Sequence, residues 1–171
     1  MNRKIQKKNG FTLAEIIVAL GIFAVVISMV VGIFVSGSVS QRKIIELHTV
    51  QREGGYLMET MSRELRMATD INSSQVENSD SDIEFTNYEN ESVIYCKSDE
   101  YGNCDDFNGK YISRNGEIIN SSNIMINNLI FYTPENFSDK QPMVTIIMDI
   151  KSSGKYHTKI LLQNSIVIRI Y

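Results

Sequence analysis

Two hydrophobic patterns follow one another along the first 69 residues of the chain. Over 11–35 almost every residue is apolar or small, and Glu15 carries the only charge. Further on, apolar and small residues recur every three or four positions, as they do on one face of a helix. The pattern predicts one long helix, apolar on all sides over 11–35 and amphipathic over 36–69. Its second half carries a stripe of Val50, Gly54, Leu57, Met61, Leu65 and Ala68.

One weak point is predicted within this helix. Glycine and serine cluster over 32–38 among β-branched valines. Each glycine costs about 1 kcal/mol of helix propensity relative to alanine. We therefore expect local melting of the helix in this segment.

Beyond residue 70 the pattern changes to short runs rich in β-branched and aromatic residues, separated by turn-forming residues. Such runs indicate β-strands in an antiparallel sheet. The turn Asn115-Gly116 favours a type I′ hairpin because both residues tolerate positive φ, and a further turn is predicted at 152–154. The predicted strands cover 82–86, 92–96, 110–113, 117–119, 128–132, 143–150 and 159–170.

These elements predict an α+β fold, in which the amphipathic half of the helix packs on one antiparallel sheet. Alternate residues of a strand share a face, so Val144, Ile146 and Met148 are expected to face the helical stripe. The predicted organisation is a basic leader (1–10), an apolar helix long enough to span a membrane (11–35), its amphipathic continuation (36–69) and a β domain (70–171).

Charge is distributed as unevenly as hydrophobicity. Residues 1–10 hold four basic side chains and no acid, whereas the rest of the chain holds 13 basic and 20 acidic side chains. The acids concentrate over 70–108, where eleven of them accompany a single basic residue, Lys97. A nucleic-acid partner is therefore not predicted for the β domain.

A basic segment before a long apolar run is typical of chains that enter a membrane. A secretory signal peptide has an apolar core of about 7–15 residues, and the 25 residues of 11–35 exceed it. A signal anchor needs only this length and charge asymmetry, which retain the N-terminus inside the cytoplasm and place the β domain outside.

Glu15 is the residue that a plain signal anchor does not explain, because an acid in an apolar span costs free energy. A local explanation is available, since Thr12-Leu-Ala-Glu15 fits the capping box in which Thr12 and Glu15 exchange hydrogen bonds at a helix start. The alternative is that Glu15 meets a cationic partner in the membrane.

Residues 7–20, KKNGFTLAEIIVAL, resemble the class III signal of type IV pilins and pseudopilins. The resemblance implies that a membrane-bound prepilin peptidase cuts after Gly10 and that Phe11 becomes an N-methylated N-terminus. It also implies that Glu15, helped by Thr12, directs filament assembly by neutralising the Phe11 amine of a neighbouring subunit. Ala14 departs from the usual isoleucine or leucine, and Gly32 stands where many major pilins have proline.

Two other stretches resemble narrower groups. The helix residues 51–68 and the closing strand 162–169 are similar to minor pilins of the PilW type and to J-type pseudopilins of type II secretion. The alternative for the helix is a stripe that only packs on the sheet, with Glu59 and Arg63 as a solvated pair.

Two features of the polar region carry further chemistry. Cys96 and Cys104 are predicted to form a disulfide outside the cytoplasm, with free thiols as the alternative. The loop around Cys104 offers oxygen ligands that suit calcium, although a solvated acidic turn needs no ion. These ligands are Asp99, Glu100, Asn103, Asp105 and Asp106. No other cofactor is predicted.

The expected function is structural: a minor pilin or pseudopilin of a type IV pilus, competence pseudopilus or type II secretion pseudopilus. Its partners would be membrane lipid before assembly, the prepilin peptidase and other pilin subunits, and it would end in a cell-surface or periplasmic filament. An enzyme is not predicted, because zinc, catalytic-dyad and phosphate-loop motifs are missing from the sequence. The alternatives are an envelope-anchored binding module and a pilus-tip adhesin that binds through its acidic loop or a sheet edge.

Overall fold

The computed structural model describes residues 10–71, 81–104, 108–133 and 143–168. It contains one long helix, α1 (Leu13–Arg66), followed by eight strands. The predicted α+β class is confirmed. The strands are β1 (Asp70–Ile71), β2 (Asp82–Thr86), β3 (Ser92–Ser98), β4 (Tyr111–Arg114), β5 (Glu117–Ile118), β6 (Ile124–Tyr132), β7 (Met143–Ser152) and β8 (Lys159–Val167).

Helix α1 stops just short of the predicted end. After Arg66 the backbone tightens, because the N–H groups of Met67 and Ala68 donate to carbonyls three residues back, at 3.1 and 3.2 Å. Hydrogen bonds of this i to i−3 type commonly close the last turn of a helix. The segment 32–38, predicted to melt, is helical in this structure.

The chain forms two compact units, Met1–Arg42 and Lys43–Tyr171. In the first unit the described apolar side chains are exposed, from Phe11 at 83% to Val39 at 38%. In the second unit the remainder of α1 packs on the strands. The two units therefore differ in what covers their apolar residues.

The prediction of a single sheet is wrong, because the strands divide into two antiparallel sheets. β1 to β5 form one sheet in chain order, and β6, β7 and β8 form the other. Between β5 and β6, the Asn120 side chain accepts from the Ile112 N–H at 2.7 Å and donates to the Ile124 carbonyl at 3.4 Å. Beyond this turn, β6 pairs with β7 and not with β5.

The predicted hairpin at Asn115-Gly116 is confirmed. Both residues have positive φ, 51° and 82°, and β4 pairs with β5 on either side of them. Asn115 has a second role, because its side-chain Oδ1 accepts from the Ile94 N–H at 2.7 Å. The turn residue thereby also extends the hydrogen bonding along β3.

The core of the second unit joins the helical stripe to both sheets. Val50, Leu57, Met61 and Leu65 of α1 are each at most 1% exposed. The predicted sheet partners Val144, Ile146 and Met148 are fully buried in the same cluster. They share it with residues of the five-stranded sheet, including Ile83, Phe85, Val93 and Tyr95.

Gly54 allows the helix to approach the three-stranded sheet closely. A Cβ at this position would lie 2.6 Å from Cδ1 of Ile150 and 2.8 Å from Cδ1 of Leu162. Those distances are shorter than van der Waals contact, so a side chain here would push the sheet residues away. Gly55, next in the chain, has open space instead.

Candidate functional site at the start of the helix

The first turn of α1 is closed by hydrogen bonds between Thr12 and Glu15. Oε2 of Glu15 accepts from the Thr12 backbone N–H at 2.9 Å and from the Thr12 hydroxyl at 3.1 Å. In return, the Glu15 N–H donates to Oγ1 of Thr12 at 3.3 Å. This is the reciprocal capping box expected from the sequence, and it explains why the helix starts at Leu13.

The capping box leaves the negative charge of Glu15 in place. Both donors to its carboxylate are neutral, and among the described residues no basic side chain forms an ion pair with it. A neutral donor offsets part of the cost of desolvating a carboxylate, whereas an ionic partner offsets much more. Glu15 therefore keeps the capacity to attract a cationic group when α1 lies in an apolar phase.

The predicted cleavage position lies in exposed chain just ahead of the capped turn. Gly10 and Phe11 precede α1, and Phe11 is 83% exposed. A Cβ on Gly10 would meet nothing within 4 Å. A protease needs such an accessible peptide bond. The basic residues of the predicted leader, at 3, 4, 7 and 8, fall outside the described residues.

The part of α1 that follows Glu15 has the length and composition of a membrane span. Among the described residues, α1 is the helix that is long and apolar enough to cross a membrane. None of its most apolar stretch is buried by the rest of the protein. Burying a single such side chain contributes about 1.5–3 kcal/mol. The exposed surface thus favours transfer into lipid or against other apolar helices.

Residues 5–31 match the family described as the prokaryotic N-terminal methylation motif. The match contains the exposed Gly10-Phe11 bond, the Thr12–Glu15 box and most of the apolar segment 11–35. The chain thus carries the N-terminal signal of a pilin-like prepilin. No curated protein and no solved structure matches the chain.

The second unit contains a disulfide between Cys96 and Cys104, with Cα atoms 5.6 Å apart. Cys96 is buried in β3, where its Sγ lies 3.2 Å from the Ser113 hydroxyl. Cys104 is exposed and pairs with Ser98 through an isolated bridge. The bond ties an exposed loop to the buried end of a strand.

The proposed calcium ligands are only partly described. Asp99 uses its carboxylate within the loop, accepting from the N–H groups of Tyr101 and Asn103 at 2.8 and 2.9 Å. The Asn103 side chain and these N–H groups lower the pKa of Asp99, because they stabilise its charged form. Among the described residues no group of three or more His, Cys, Asp or Glu side chains is placed to hold a metal ion. Asp105 and Asp106 lie outside these residues.

The structure also shows a polar cluster that the sequence did not predict. Arg114 of β4 pairs with Glu64 of α1 at 3.0 Å, whereas the structure gives no ion pair between Glu59 and Arg63. Burial, together with the charge of Glu64, raises the pKa of the neighbouring Tyr95. Fifty residues separate Glu64 from Arg114 in the chain, so local spacing carries no signal for this pair.

We predict that the Cys96–Cys104 bond stabilises the second unit. Closing a nine-residue loop is worth about 2–3 kcal/mol in the chain-entropy model, so Cys104→Ser should lower the free energy of unfolding by that amount. Chemical denaturation compares the variant with the wild type. On reduction, the intact mass of the wild type should rise by the mass of two hydrogen atoms, and that of the variant should not. Two free thiols in unreduced wild-type protein would contradict the bond.

Proposed function

We propose that this protein is a minor pilin or pseudopilin, of the PilW type or the J type. It is held in the cytoplasmic membrane by 11–35 with the β domain outside, is cut after Gly10 by prepilin peptidase, and is N-methylated at Phe11. It then enters a helical fibre with other pilin subunits. The observation that carries the proposal is the methylation motif placed on an exposed peptide and a capped apolar helix.

The chemistry of the site supports an assembly role. Cleavage after Gly10 would create a cationic amine on Phe11, one residue before the capping box. In an apolar phase this amine and the Glu15 carboxylate each need an opposite charge. Within one chain Glu15 already accepts from the Thr12 N–H, and pairing with the amine of a neighbour would satisfy both charges between subunits. A chain that keeps its leader lacks this amine at Phe11.

The first test is the N-terminus of the protein from its native host. We predict that filament-associated chain begins at Phe11 and that its amine is methylated. Gly10→Leu should block cleavage while leaving the fold unchanged, because nothing lies within 4 Å of a Cβ there. Intact-mass and N-terminal peptide analysis measure both. Filament-associated protein that retains Met1 would contradict the proposed processing.

The second test concerns abundance. The 39 residues of 70–108 carry a net charge of −10, and such like charge would repel if repeated densely along a fibre at low salt. We therefore predict a low copy number in the filament, at the tip or sparsely along the shaft. Quantitative proteomics of sheared filaments gives the ratio, and finding this chain as the most abundant subunit would contradict the minor role.

A further inference from the structure

Among the described residues, strand β8 pairs with β7 alone, so one of its two backbone edges has no strand beside it. The Ser152 N–H donates to the Thr158 carbonyl at 2.7 Å, and the β7–β8 register continues without a bulge to Met143 and Val167. Hydrogen-bonded pairs alternate along antiparallel strands. The even-numbered residues of β8 therefore bond β7. The N–H and C=O groups of the odd-numbered residues 159–167 point away from the sheet.

The other edge strands of the two sheets are protected against pairing with a further strand. β1 and β5, at the ends of the five-stranded sheet, have two residues each. β6, at the far side of the three-stranded sheet, carries a bulge between Ile126 and Asn128, and the Ile126 N–H donates to the Lys110 carbonyl at 2.8 Å. Short strands and bulges are common ways to block pairing at an edge. Over its nine described residues β8 has neither feature.

The side chains along β8 are suited to a further strand. On the outer face, Leu161 is 69% exposed and Val167 is 47% exposed. On the helix side, Ile160 and Leu162 are half-buried and only pack against the core from its margin. An additional strand with apolar residues at alternate positions would cover exposed apolar surface on either face.

The charges around the β7–β8 hairpin indicate which kind of side chain one end of the added strand would carry. The segment from 150 to 168 contains Lys151, Lys155 and Lys159 and no acidic residue. Two carboxylates flank this segment and keep their negative charge, since Glu46 accepts from the Tyr156 N–H at 3.2 Å and Asp149 accepts from the Asn127 side chain at 2.8 Å. They are outnumbered by the three lysines and by Lys43, whose Nζ lies 5.6 Å from the centre of the Tyr156 ring. A carboxylate on the incoming segment would therefore meet basic side chains at the β7–β8 hairpin.

We propose that the open edge of β8 takes up an extended segment of another filament subunit. That segment has apolar residues at alternate positions and a carboxylate at the end nearest the hairpin. It adds a strand through backbone hydrogen bonds, as in β-strand addition. The identity of the partner as a filament subunit rests on the proposed function, whereas the pairing edge rests on the strand geometry.

The test uses the full chain in its native host, with a photoreactive phenylalanine derivative in place of Leu161. Illumination should cross-link the chain to a different filament subunit, with the linked peptide identified by mass spectrometry. Gln163→Pro removes an N–H that points outward, so it spares the bonds to β7. It should lower the adduct about tenfold, which corresponds to about 1.4 kcal/mol. Gln163→Ala keeps that N–H and should leave the yield unchanged.

A second pair of variants, which changes charge and introduces no proline, keeps the test valid if Gln163→Pro disturbs the fold. Lys159→Glu should lower the adduct several-fold, while Lys110→Glu makes the same charge change away from the edge and should not. An adduct that is insensitive to both Gln163→Pro and Lys159→Glu would overturn the proposal, and so would one that joins two copies of this chain. The same sample reports the N-terminus: an unprocessed Phe11 contradicts the proposed function, whereas mature chain with an insensitive adduct contradicts the edge alone.

Discussion

Replacing Glu15 by alanine is expected to leave the chain in the membrane and to remove most of it from filaments. Loss of an acid from an apolar span favours insertion into the bilayer. The same loss removes the proposed partner of the Phe11 amine. We expect the amount in sheared filaments to fall about tenfold or more, equivalent to at least about 1.4 kcal/mol. Membrane fractionation and quantification of sheared filaments measure the two effects separately.

Two matched variants separate the charge of Glu15 from its capping role. Glu15→Gln keeps a side-chain oxygen that accepts from the Thr12 N–H but removes the charge. Thr12→Ala keeps the charge but removes the hydroxyl that caps Glu15, at a cost of about 0.5–2 kcal/mol of helix stability. If pairing with an amine drives assembly, Glu15→Gln behaves as Glu15→Ala and Thr12→Ala is mild. The reverse order would show that the capping box alone explains Glu15.

The largest effect on stability is expected at Leu65. This side chain is fully buried between α1 and the sheets, and Leu65→Ala would remove its contacts and leave a cavity. Such substitutions cost about 2–5 kcal/mol, so the unfolding temperature of the second unit should fall by roughly 8–20 °C. A chain starting at Gln41 contains this whole unit and is expected to be a soluble monomer, which makes thermal unfolding measurable by circular dichroism.

Met67 provides the control for this measurement. It follows Leu65 closely on the chain but is 46% exposed, so Met67→Ala should change the free energy of unfolding by at most about 0.5 kcal/mol. Equal effects of the two variants would mean that the last turns of α1 do not pack on the sheets as described. An insoluble or oligomeric wild-type fragment would contradict the independence of the second unit.

The sequence alone determined the features that depend on residues close together in the chain. The box from Thr12 to Glu15 spans four residues, the turn at Asn115-Gly116 spans two, and the helical stripe repeats every three or four. Each is stabilised by local backbone geometry or by the period of one element. The N-terminal signal is local in the same way, and its match to residues 5–31 follows from contiguous residues.

Tertiary structure decided which strands pair and which residues meet across the core. The division into two sheets depends on which of the eight strands pair, and the close approach at Gly54 depends on side chains about one hundred residues later. The short strand β1 pairs with β2 across the segment 72–80. The ion pair between Glu64 and Arg114 likewise joins α1 to β4. Strand pairing is chosen by the packing of all the runs together, and no single run encodes its neighbour.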